Sequence, residues 1–325
     1  MSRLTATGFL VAAWFVFSAG NIFAAPRAES RSFQNIAANE TVNYTGETVL
    51  QPEQTGLDRG ERVMKALAEA YPRRVERAEF RNNDWAVLMR GVWYFYAGGK
   101  LLPEEMLDRA DEYSPVVFYN YQSELPPWTE PSPEQAARFR EMGNGNRLWN
   151  TRQRSPFFFD ALWRVRNRNE AYERVKSIRF LGHPVMVHYA ILEELSLVEE
   201  RILAAAKTDS QVRSWINNIN TTEGWGWRNV AGTRSRSYHS YGMAVDILPK
   251  SLGGRETYWQ WASEKKPEWW NIPYKDRYHP PDAVIKAFEA YGFVWGGKWA
   301  FFDTMHFEYR PEVIILNGME LTGDG

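Results

Sequence analysis

No cysteine occurs among the 325 residues. The chain therefore folds without disulfides, and its stability must come from an apolar core. A chain of this length can bury that core as one large domain or two modest ones. The same absence removes any thiolate nucleophile and any lipid-bearing cysteine. It also restricts a zinc site to histidine and carboxylate ligands. Only five histidines are on offer: His183, His188, His239, His279 and His306.

Charge excludes a further class. Acidic and basic residues nearly cancel, at 40 and 39, so no basic stripe points to nucleic acid, and function must reside in a local site. The 15 Trp residues can pack a core or line a peptide or carbohydrate groove. At the N-terminus, Arg3, an apolar run over 8–19 and the small residues Ala24 and Ala25 before Pro26 follow the order of a secretory signal. That run is too short for a comfortable membrane span. Residues 1–25 are thus expected to be a cleaved signal peptide and 26–56 a flexible polar leader. The protein is expected to be exported to the periplasm or cell envelope, with no membrane span after cleavage. Nothing in the sequence sets an oligomeric state.

Periodicity then places the elements. Helical spacing at Val63, Leu67 and Ala70 predicts a helix over 60–71, closed by Pro72. Turn residues separate strands over 85–89 and 92–97, a small β-meander. Residues 123–155 read as loops with a short helix. A strand is expected over 175–181, a long helix over 185–206 and a second over 210–219. Pro280-Pro281 opens a helix that Gly292 closes. Strands over 293–295 and 305–309 follow, separated by a Gly296-Gly297 turn. Helices followed by short strands indicate an α+β fold. Residues 57–172 form an N-terminal accessory region of helix and meander, and 173–325 a second domain.

Two histidines sit in informative surroundings. The first lies in Ser237-Tyr238-His239-Ser240-Tyr241-Gly242-Met243-Ala244-Val245-Asp246. Gly242 permits a tight bend, so His239 and Asp246 can turn toward one point. An imidazole and a carboxylate make a zinc-type pair. The second stretch, Asp303-Thr304-Met305-His306-Phe307-Glu308, offers a third ligand and a carboxylate three residues before it. Three protein ligands leave a fourth position for water, and zinc lowers that water's pKa from about 15.7 to about 7. Asp303 is placed to accept its proton. A cationic donor for the substrate oxygen can come from Arg228, Arg234 or Arg236, all just upstream of His239.

The pattern S-x-H-x-x-G-x-A-x-D followed by D-x-x-H-F-E resembles the D-alanyl-D-alanine carboxypeptidase group of zinc peptidases. That group includes D,D-carboxypeptidases, D,D-dipeptidases and L-alanyl-D-glutamate endopeptidases, on the fold shared with hedgehog signalling domains. The resemblance covers about 175–311. It implies Zn2+ held by His239, Asp246 and His306, Asp303 as the base, Arg228 on the substrate carbonyl, and a peptidoglycan stem peptide as substrate. The implied fold is a small antiparallel sheet flanked by helices, which makes 173–325 the zinc peptidase domain. Both L-alanyl-D-glutamate endopeptidase and D-alanyl-D-alanine carboxypeptidase activity fit, as does a zinc-stabilised binding module that has lost hydrolysis.

Ser237, Arg236 and Glu308 are the candidates for further substrate contacts. Ser237 reads more readily as a hydrogen-bonded turn residue, and Glu308 could equally orient His306. His183, His188 and His279 read as core or loop residues. The Trp-rich stretch at 259–270 is expected to be packing rather than a substrate wall. The absence of H-E-x-x-H excludes the commoner metalloprotease signature.

Overall fold

The computed structural model of the chain describes residues 56–143 and 152–322. The segments expected to be signal and leader lie outside the described residues, apart from Gly56. Helix α1 (Gly56–Ala70) is followed by a four-stranded antiparallel meander, β1 (Arg77–Arg81), β2 (Asp84–Met89), β3 (Val92–Phe95) and β4 (Leu102–Pro103). Helices α2 (Pro133–Gly143), α3 (Phe157–Trp163) and α4 (Arg168–Arg174) come next. Asn167 caps α4 by accepting from the N–H groups of Asn169 and Glu170, the usual remedy for orphan donors at a helix start.

A hairpin, β5 (Val175–Phe180) with β6 (His183–His188), then leads to α5 (Leu192–Ala206) and α6 (Ser210–Asn217). The expected helix over 185–206 is therefore corrected at its start. Residues 185–188 are strand, pairing with β5 through Val175↔His188 and Ile178↔Val185. The Val-Met-Val run satisfies helical and strand spacing alike over so few residues, and tertiary pairing decides between them. His188 marks the change: its Nδ1 accepts from the Ala190 N–H at 3.1 Å, and the helix begins beyond it.

The second sheet carries the site. Its strands are β7 (Ile219–Glu223), β8 (Ala244–Pro249), β9 (Phe293–Trp295) and β10 (His306–Tyr309), in the order β7-β8-β10-β9. Short helix α7 (Tyr238–Tyr241) precedes β8, α8 (Trp259–Lys265) follows it, α9 (Asp282–Ala290) leads into β9, and α10 (Pro311–Leu316) follows β10. Phe288 of α9 stacks on Phe307 of β10 with ring centroids 3.9 Å apart. That contact fixes one face of the sheet against the helix.

Strands β9 and β10 pair directly, with 296–305 between them and the expected Gly296-Gly297 turn at the start of that connection. Here Gly296 and Gly297 permit close approach rather than a tight hairpin. A Cβ on Gly296 would stand 2.6 Å from the Asp303 carbonyl oxygen, and one on Gly297 would overlap the Trp295 ring. The connection can therefore fold back on itself and bring Asp303 beside the start of β10.

One apolar cluster runs from Val63, Met64 and Leu67 of α1 through Leu195 and Ile202 of α5 to Phe307 and Tyr309 of β10. Burial of this extent supplies the stability that disulfides do not. A second cluster joins Trp259, Trp269, Trp270 and Phe302 to Phe139 of α2, so these indoles pack together rather than lining a groove. The architecture is α+β, with small antiparallel sheets among helices. Among the described residues, no helix is long and apolar enough to cross a membrane.

Candidate metal centre

The centre is assembled by strand register and one sharp turn. In the β8–β10 pair, Asp246 stands directly opposite His306, so antiparallel pairing alone brings these two side chains together. His239 reaches them from α7. Ser237 starts that helix by accepting from the His239 N–H at 3.3 Å. Gly242 ends it with φ +72°, and a Cβ there would lie 2.8 Å from the His188 backbone nitrogen. That nitrogen instead donates to the Gly242 carbonyl at 2.8 Å. Only glycine fits both the left-handed conformation and the close approach.

The hydrogen bonds assign the imidazole faces. His239 Nδ1 lies 2.6 Å from the Gly224 carbonyl oxygen. A carbonyl only accepts, so Nδ1 carries a hydrogen, and in the neutral imidazole Nε2 then keeps the lone pair a metal needs. That Nε2 lies 3.1 Å from Asp246 Oδ2 and 3.2 Å from His306 Nδ1. His306 Nδ1 lies 2.8 Å from Asp246 Oδ1. On its far side, His306 Nε2 meets Glu308 Oε2 at 3.2 Å. The ligand atoms of His239, Asp246 and His306 all lie within 4.8 Å of one another.

This set fits a small divalent cation. Tetrahedral ligands about 2.0 Å from a metal stand about 3.3 Å apart, close to the separations here. Each imidazole has its other nitrogen tied, His239 to a carbonyl and His306 to a carboxylate, which is how metal-binding histidines are oriented. The donor set of two imidazole nitrogens and one carboxylate suits zinc and related transition ions.

Electrostatics follow from burial and close charge. For Asp246, burial acts upward, but His239 and His306 outweigh it and hold the carboxyl well below its usual range. For His306, burial opposes protonation, yet hydrogen bonds to Asp246 and Glu308 raise its pKa well above the ordinary value. Burial likewise pushes Glu308 up, but His306, Arg310 and Arg154 together keep it low. Asp303 moves the other way. Burial and the negative charge of Asp246 push it up to about 7, against smaller opposing effects of His306, the Met305 N–H and Arg228. Its Oδ1 is buried with no hydrogen-bond partner, and such an atom in a site implies a transient partner.

Arg228 is half exposed, with a guanidinium nitrogen 3.6 Å from Asp246 Oδ2. Its backbone is held at both ends: the N–H donates to Ser240 Oγ at 2.8 Å, and the carbonyl accepts from the Ser237 N–H at 3.1 Å. Arg228 also lines a cavity of about 440 Å³ together with Arg154, Trp227 and Arg234.

The expected substrate contacts fall differently. Glu308 is buried, and its place two residues along the strand from His306 puts it on the same face, against His306 Nε2. Arg236 lines the cavity wall but is committed to Asp160 at 2.5 Å and to the carbonyls of Val165 and Arg166. Ser237 is buried as the cap of α7. His188 is a structural residue, bonded through Nε2 to the Trp163 carbonyl at 3.1 Å. Burial pushes its pKa down to about 4.

Sequence reasoning overlooked the Gly224 carbonyl and the buried Arg310 and Glu312. The first has no sequence signal. The other two had one: ionisable residues recur at every second position from His306 to Glu312.

Residues 231–309 match the family described as D-alanyl-D-alanine carboxypeptidase. Over these residues the chain is similar to that peptidase family. His239, Asp246, His306 and Asp303 all fall inside the match, and Arg228 lies just before it. Residues 63–118 match a second family, described only as a domain of unknown function. No curated protein and no solved structure matches the chain.

The place of Glu308 makes a prediction for this peptidase domain. Glu308→Gln is expected to weaken zinc binding about 10- to 100-fold, the usual cost of losing an outer-shell carboxylate. Competition with a chromogenic chelator measures it, and unchanged affinity would remove the orienting role.

Proposed function

We propose that this domain is a zinc peptidase that hydrolyses peptidoglycan stem peptides, as an L-alanyl-D-glutamate endopeptidase or a D-alanyl-D-alanine carboxypeptidase. The observation that carries the reading is the convergence of His239 Nε2, Asp246 and His306 Nδ1 beside the buried, unpartnered Asp303 Oδ1. We further propose the hedgehog/D,D-peptidase fold for 173–325, an accessory role for 57–172, and export to the periplasm or cell envelope.

Zinc held there would supply a water of lowered pKa and a Lewis acid for the scissile carbonyl. The rest falls to the chain's own side chains. Asp303 takes the water's proton and passes it to the leaving amine, a task suited to a carboxyl poised near neutrality. Arg228 lies on the open side of Asp246 and steadies the negative charge that grows on the carbonyl oxygen. Asp246 and the two oriented imidazoles hold the ion with little reorganisation.

Two measurements test this. Purified peptidoglycan treated with the zinc-loaded protein should release fragments that mass spectrometry assigns to one bond, and a chelator should stop their release. Stoichiometric zinc with no hydrolysis of any stem peptide would sink the enzyme reading and leave a binding module. The Arg228→Ala variant should retain zinc while kcat falls about 100-fold or more. If Arg234→Ala has that effect instead, the carbonyl contact belongs to Arg234.

A further inference from the structure

A row of buried charges continues along the chain from His306. Glu308 divides its two oxygens, with Oε2 on His306 Nε2 and Oε1 3.5 Å from an Arg310 terminal nitrogen. Arg310 is 1% exposed and Glu312 is 0% exposed, and Arg310 Nε donates to Glu312. A guanidinium buried this deeply costs several kcal/mol unless its charge and donors are matched. Two carboxylates match the charge. The remaining nitrogen, Nη2, donates to the Val117 carbonyl at 3.1 Å, and the plane lies among the rings of Phe118, Phe159 and Tyr238. The other oxygen of Glu312 accepts from the Tyr71 hydroxyl at 2.6 Å.

The origin of these partners is informative. Glu308, Glu312 and Tyr238 come from the peptidase half. The Val117 carbonyl, the Phe118 ring and the Tyr71 hydroxyl all come from 63–118, the segment matching the domain of unknown function. We propose that Arg310 is a positioning residue of the metal centre, and that 63–118 serve to complete its socket. Arg310 holds Glu308 in the rotamer that meets His306 Nε2, and so aims Nδ1 at the metal. Its fork of donors suits this role: one edge faces each carboxylate and the third reaches the carbonyl. A lysine offers a point charge and cannot span the three. The inference rests on reading His306 as a metal ligand.

The test is a double-mutant cycle on zinc affinity in the full chain, measured against a chromogenic chelator. Arg310→Met keeps length and apolar bulk but removes the charge. It should weaken zinc binding about 10- to 100-fold, as Glu308→Gln does. The double variant should bind no more weakly than the worse single variant, because Arg310 acts through Glu308. The Co2+-substituted Arg310→Met protein should show the same change in visible spectrum as Glu308→Gln. Arg310→Lys should recover only part of the affinity. Tyr71→Phe, a milder change that keeps the ring packing, should weaken binding at least about twofold, and the effect should vanish in the Glu308→Gln background. Multiplicative losses in the double variant would overturn the proposal, as would lower thermal stability with unchanged zinc affinity and cobalt spectrum. If Arg310→Met does not fold, the Tyr71→Phe cycle alone decides. Failure of the ligand reading looks different: His306→Ala would then bind zinc as tightly as the unsubstituted protein.

Discussion

Replacing His239, Asp246 or His306 by Ala should remove stoichiometric zinc and hydrolysis together. Three protein ligands are the minimum for a stable catalytic site, and each substitution also strands a buried neighbour. Without His306, Asp246 loses its partner at 2.8 Å and Glu308 its partner at 3.2 Å, leaving carboxylates under-compensated in the interior. Without Asp246, two imidazoles face each other at 3.2 Å. Metal content after dialysis, read by atomic absorption, checks this. Full zinc in all three variants would sink the ligand assignment. The affinity should also depend on pH. The raised pKa of His306 means that at neutral pH a proton competes for the nitrogen that faces the metal. Zinc uptake should therefore release a proton, and affinity should rise as pH rises through neutrality.

Asp303→Asn should keep zinc and lose nearly all turnover. Asn matches Asp in shape but cannot accept a proton, so it separates a general base from a residue that caps a turn. The surroundings make the contrast sharp. The Asp303 backbone is held independently of its side chain, with its N–H on the Gly296 carbonyl at 3.0 Å. The carboxylate Oδ1, by contrast, is buried without a partner. Loss of the side-chain charge should thus leave the loop in place. A single assay on the zinc-loaded variant decides: near-native hydrolysis rules out the base. The pH profile of the unsubstituted enzyme bears on the same residue. Burial and Asp246 push Asp303 up to about 7, and a bound cation acts in the opposite direction. The acid limb of kcat/KM, where Asp303 takes up its proton, should therefore lie below pH 7.

Much of the site was legible in the residue order because its chemistry is local. His239 and Asp246 flank a glycine at a spacing that a short helix and one turn convert into proximity. Asp303 and His306 lie three apart at a strand entrance. Helices α5 and α9 and the meander strands show regular apolar spacing over enough residues to be read. The failures share a different cause. Residues 185–188 are too few for periodicity to separate strand from helix, and only pairing with β5 settles them. The Gly296-Gly297 pair reads only as a turn, because nothing in sequence shows that Trp295 and the Asp303 carbonyl come back against it.

What the sequence determined by itself is the inventory: candidate ligand types limited by the lack of cysteine, a carboxylate three residues before His306, and arginines upstream of His239. Tertiary structure decided which group faces which. It set Asp246 opposite His306 by register, brought Nε2 of His239 and Nδ1 of His306 together on Asp246, and turned Glu308 inward. It committed Arg236 to Asp160 and left Arg228 at the open edge. It also joined Tyr71 and Val117 to Arg310 and Glu312 across most of the chain length. The physical reason is burial. A side chain's charge, tautomer and rotamer answer to whatever shares its low-dielectric surroundings, and those neighbours are chosen by packing between segments that no local pattern links.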